Sequence, residues 1–144
     1  MNNSPMTFAA ANIDRLAASQ AQEMVKIAAS AEEAKKLDNL VTKTLGVLQE
    51  NGIYAAVLFL AAQRKAEEKA EKVLDSILNF LDTININFKF GWEKKPAADS
   101  SENVLSYISD QVVVNLEQLL LVKESLEQML IYARYGAKAK VAEG

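Results

Sequence analysis

Apolar residues recur at alternating steps of three and four along most of this chain, and no other feature constrains its fold as tightly. The first stripe is Ala9, Ile13, Leu16, Gln20, Met24 and Ile27. A second is Leu37, Leu40, Val41, Thr44, Leu45 and Leu48. A third runs through Ala55, Phe59, Ala62, Ala66, Ala70, Val73, Ile77, Leu81 and Ile84. The last is Leu119, Val122, Leu126, Met129, Ala133 and Ala137. Five Gly and two Pro in 144 residues leave the backbone rarely punctuated, and Ala, Leu, Glu, Lys and Gln are strong helix formers. The pattern predicts an all-α fold: a compact bundle of about five or six helices, forming a single domain over residues 1–144.

Local signals set the boundaries. Ser4 reads as an N-cap before Pro5 at the first helical position. Ser30 and Glu33 have capping-box spacing, and Asn51-Gly52 stops the helix that follows. The run Ile53–Ala62 is apolar on nearly all sides, which predicts a helix in the centre of the bundle. Its stripe continues without a phase break into a charged stretch, as one long helix or as two with a small bend near Ala62. Ten apolar residues fall well short of the roughly 20 that span a bilayer. The first residues lack the basic start and long apolar core of a signal peptide. No membrane is expected, and the location read from the sequence is cytoplasmic.

Residues 85–101 read as the one longer loop. Ile84, Ile86, Phe88 and Phe90 alternate with polar residues as in an extended segment. Such a segment lacks strand partners in an α domain, so Phe88, Phe90 and Trp92 either dock on another protein or fold back to plug the bundle. Ser101 or Asn103 opens the next helical region, and residues 110–115 form a joint because three consecutive Val weaken helix preference. The last helix ends in a tail, residues 139–144, expected to fray.

The chain has no His and no Cys. That excludes disulfides, thiol nucleophiles, Cys/His zinc sites and the Glu-x-x-His pairs of di-iron bundles. No phosphate-binding Gly loop and no EF-hand loop occurs. Glu67 and Glu71, four apart, are the best available carboxylate pair for a metal enzyme, but lysines surround them. No cofactor, metal or catalytic residue is expected. The net charge of −3 leaves nucleic-acid binding only to a local basic patch.

Two blocks, "LGVLQENGIYAAVLFLAAQRK" (residues 45–65) and "QLLLVKESLEQMLIYARYGAKA" (residues 118–139), resemble the small-subunit family of type III-B CRISPR effector complexes, the Cmr small subunit. An Asn-Gly turn, an apolar helix with Phe59 closing on Lys65, and a last helix carrying Glu124 and ending in Tyr132, Arg134 and Tyr135 carry the likeness. Gly46 stands where the family often has Pro, and Ile131 and Ala133 replace its common Trp and Lys. The resemblance implies a non-enzymatic helical bundle that stacks in several copies along the guide and target RNA of an antiviral ribonucleoprotein. Its partners would be the backbone and large CRISPR subunits and further copies of itself.

The residues themselves nominate Arg64, Lys65, Arg134 and Lys138 as RNA contacts, with Lys43 a further candidate. Arg134 and Lys138 sit near Tyr132 and Tyr135, and cations beside rings suit phosphates and bases of single strands. The alternative function is a protein-only helical adaptor or chaperone that uses Phe88, Phe90 and Trp92 as its contact.

Overall fold

A computed structural model describes residues 5–144, with side chains from Ile13 onward. The expected Ser4 cap and the side chain of Ala9 lie outside the described residues. Six helices follow in order: α1 (Pro5–Val25), α2 (Ala31–Asn51), α3 (Ile53–Gln63), α4 (Ala70–Phe88), α5 (Ser101–Tyr107) and α6 (Leu116–Glu143). A π-helical turn, Ile108–Val112, extends α5, and a bend over residues 113–115 leads into α6. The expected joint in the Val run is therefore present, and Asn115 caps α6 by accepting from the Gln118 N–H at 3.0 Å.

The helices form a ring. α6 packs between α1 and α2, α2 packs on α3, α3 on α4, and α4 returns to α1. α1 and α6 run in the same direction. Asp14 meets Tyr132, Val25 lies against Gly136, and the Ala28 carbonyl at the end of α1 accepts from Lys140. α2 and α6 run oppositely, with Asp38 beside Arg134 and Lys138, and Ala31 beside Gly144. A Cβ on Gly136 would stand 2.9 Å from a Val25 methyl, so glycine permits the close approach of α1 and α6. Phe80, Met24, Leu37, Leu48, Leu74 and Leu81 are among the fully buried side chains of one continuous core.

Of the two forms open to the third stripe, the structure takes two helices, separated by a turn over residues 64–69. Ala66 and Glu67 both donate to the Gln63 carbonyl, at 3.0 and 2.8 Å. Three expectations about the elements change. The core face of α3 is Ile53, Ala56, Val57 and Leu60, whereas Ala62 and Ala66 are exposed, so the third stripe faces the core only from Ala70 onward. Helix α4 continues to Phe88, so the loop begins at Lys89, which takes the left-handed conformation (φ 53°) that ends the helix. Ile84 and Phe88 are four apart on the packed side of α4, and Ile86 between them is exposed. The alternation therefore conceals a helical pair. The tail is helical to Glu143, held by the Lys140 tie to Ala28 and by Val141 packing on the core.

Candidate functional site

The last turns of α6 hold the aromatic-basic cluster. Tyr135 is 62% exposed, and the Arg134 guanidinium lies 6.0 Å from its ring centroid, within cation–π reach. Asp38 of α2 stands beside both cations, 3.8 Å from Arg134 Nε and 3.1 Å from Lys138 Nζ. Arg134 Nε is buried and has no hydrogen-bond partner among the described residues. Tyr132 points elsewhere. Its hydroxyl donates to Asp14 of α1, and that bond, ahead of burial, raises its pKa. Of the cluster named from the sequence, Tyr135, Arg134 and Lys138 share an outward site, while Tyr132 ties two helices together.

The outer face of α2 adds lysines. A helix turns about 100° per residue, so Lys35 lies about 60° around α2 from Asp38, Lys43 about 140° and Lys36 about 160°. Lys35 therefore flanks the Arg134–Lys138 group. Lys36 and Lys43 lie toward the opposite edge, the side from which Glu33 reaches the α3–α4 turn. All three lysines are exposed, and none forms an ion pair among the described residues. Lys43 is thus separated from the residues with which it was grouped. Lys35 and Lys36 were missed, although Lys36 and Lys43 are seven apart, a spacing that puts both on one face.

Arg64 has a different environment from the one expected. Its guanidinium donates to Ser101 Oγ at 2.7 Å, to the Ala98 carbonyl at 3.1 Å and to Glu71 at 3.3 Å. It clasps the end of α3 to the start of α5 and the far end of the loop. The sequence shows no carboxylate before Arg64 on its own helix. Its partners come from 7, 34 and 37 residues downstream, where no local pattern could reveal them. Lys65 next to it is exposed. Lys69 is buried and pairs with Glu33 at 3.1 Å. Glu33 also accepts from the Ala29 N–H at 3.2 Å while Ser30 caps its own N–H. The Lys69 hydrogen bond, and then the Ala29 bond, hold the Glu33 carboxyl below its ordinary pKa; the same pair raises that of Lys69.

The loop folds back onto its own bundle. Trp92 is 8% exposed, and Phe88 and Phe90 pack against the core. Phe88, Phe90, Trp92 and Tyr107 form a ladder with ring centroids 5.9, 5.2 and 6.4 Å apart. Asn85 supplies the missing strand partner. Its side-chain amide donates to the Trp92 carbonyl at 3.1 Å and accepts from the Trp92 N–H at 3.0 Å. Of the two readings of these rings, the plug describes the structure. As an interface for another protein they are corrected, because burying them already removes their apolar area from water.

Besides Ile86 on α4 and Tyr135 on α6, the large apolar residues exposed among those described are Tyr54 and Leu58 on α3, and Val114, Leu116 and Leu120 around the start of α6. The expectation of a central α3 is corrected with them. α3 is a peripheral helix with one side in solvent. Among the described residues no group of three or more acidic side chains is placed to hold a metal, and no helix is long and apolar enough to cross a membrane. Glu67 and Glu71 are engaged instead with the Lys69 N–H and Arg64. No protein-family model matches the chain, no curated protein matches it, and no solved structure matches its fold.

Proposed function

We propose that this chain is a non-enzymatic small subunit of a type III-B CRISPR effector complex. In this reading several copies stack along the guide and target RNA in the cytoplasm, alongside the backbone and large subunits. The observation that carries the reading is the outward group on α6: an exposed Tyr135 ring under the Arg134 guanidinium, with Lys138 and Lys35 beside it. A base can stack on such a ring while neighbouring cations meet phosphates. Asp38 partly offsets the positive charge, so a single copy binds weakly. Retention then comes from neighbouring proteins and repeated copies through effective concentration.

The test is purification of the tagged chain from its native cell, with RNA sequencing and mass spectrometry of the eluate. Repeat-derived guide RNAs together with larger CRISPR subunits are the expected result. Tyr135→Ala with Lys138→Ala should then lower RNA retention in the assembled complex while the melting temperature stays within a degree or so, since both side chains are largely outward. Recovery of protein partners with no enriched RNA would overturn the reading. The protein-only adaptor would then stand first. Its supporting observation is the exposed group Val114, Leu116 and Leu120, rather than the loop.

A further inference from the structure

Helix α3 contains no charged residue between Ile53 and Gln63, yet only part of it is covered. Ile53, Ala56, Val57 and Leu60 face the core. On the outward side Tyr54 is 42% exposed and Leu58 46%, with Ala62 exposed one turn further on. These three positions follow one another at steps of four, so they form a continuous apolar ridge along one side of the helix. Exposed Lys65 stands just past its end. The neighbouring helix α2 is antiparallel to α3 across the Gly52 joint, and it carries Lys36 and Lys43 on the outer edge nearest α3. Neither lysine forms a salt bridge among the described residues, although Lys36 lies near enough to Glu33 to help lower its pKa. Glu32 and Glu50 lie on the same side of α2, one turn before Lys36 and two turns beyond Lys43. They bound the lysine row without entering it.

We infer that the α2–α3 hairpin is a docking surface for an acidic amphipathic helix of a partner protein. The apolar side of that helix lies on Tyr54, Leu58 and Ala62, and its flanking carboxylates reach Lys36, Lys43 and Lys65. Charge selects this occupant. An apolar ridge alone would accept any apolar surface, but three unpaired cations beside it favour a negatively charged rim and disfavour a basic one. A ridge of side chains at steps of four is the surface on which a second helix packs, its own ridges seated in the neighbouring grooves. The inference makes no use of the RNA group Tyr135, Arg134 and Lys138 on α6, beyond the opposite edge of α2, but it assigns Lys43 and Lys65, nominated from the sequence for RNA, to a protein partner.

The test uses the full chain and two fluorescent synthetic helices. Both carry Leu at steps of four; one has Glu on its flanks and its twin has Lys. Anisotropy should show binding of the Glu helix at least about tenfold tighter than its twin. Leu58→Ser, and separately Lys36→Glu with Lys43→Glu, should each weaken the Glu helix by about tenfold or more. Tyr54→Ser replaces Leu58→Ser if that variant does not fold. Equal binding of the twins, no binding of the Glu helix, or indifference to the folded variants would overturn the inference. Phosphatidylserine vesicles, oligouridylate and sedimentation of the free chain complete the test. A Leu58-dependent signal in any of these three, in place of one for the Glu helix, assigns the ridge to lipid, RNA or a second copy and equally overturns it.

Discussion

Arg64 and Lys65 are adjacent in sequence and differ in what they touch. Arg64 closes a clasp across three elements and its side chain is only 25% exposed, whereas Lys65 is free on the surface. Arg64→Ala should lower the unfolding free energy in urea by about 1.5–3 kcal/mol, the range for hydrogen bonds involving a charged group. Lys65→Ala should leave it within about 0.5 kcal/mol. Glu33 gives a pH dependence. Its folded pKa is depressed, mainly by the Lys69 hydrogen bond. Its contribution to stability is therefore complete above the unfolded value of about 4.5 and is lost as pH falls through the lower folded value. Lys69, raised in the fold, contributes fully below about 10.5 and loses that contribution as pH rises through its higher folded value. Melting curves across pH should show the acid limb flatten in Glu33→Gln. The capping role of Ser30 and Glu33 was legible because it is local. Lys69 was not, because its carboxylate partner is 36 residues away.

At the scale of elements, the α2–α3 joint depends on one residue. Gly52 has φ 96° and ψ −175°, a region that side chains with a Cβ scarcely enter, and it both caps α2 and opens α3. Gly52→Ala should cost about 1–3 kcal/mol, read as a lower urea midpoint, although nothing crowds the added methyl in space. The Asn-Gly stop was readable from the sequence for this reason. The position of α3 was not. An apolar helix signals that apolar surface exists, but not which sides of it are covered, and here one side meets solvent. The turn at residues 64–69 was legible only as one of two options, a bend near Ala62, because apolar residues at helical spacing run straight through it. The end of α4 escaped because Ile84, Ile86 and Phe88 satisfy a step of two and a step of four together.

For the whole molecule, helix identity and most of the core were legible from periodicity, while the ring order was not. Sequence neighbours α1 and α2 scarcely touch among the described residues; α6 stands between them. The candidate site follows the same rule. Arg134 and Lys138 were visible as neighbours on α6, but Asp38 and Lys35 join them only because α2 packs alongside in the opposite direction. Tyr132 and Asp14, 118 residues apart, meet through that arrangement. The ring has a consequence for how the chain is made. During synthesis α1 emerges before the other five helices described, and one of its two main neighbours, α6, emerges after them. A nascent chain ending before Leu116 holds α1 and α2 with the slot between them empty. The parts of their inner faces that α6 covers stay wet until its 28 residues arrive. The ring thus closes only once α6 has been made, in a step that brings the first of the six helices against the last.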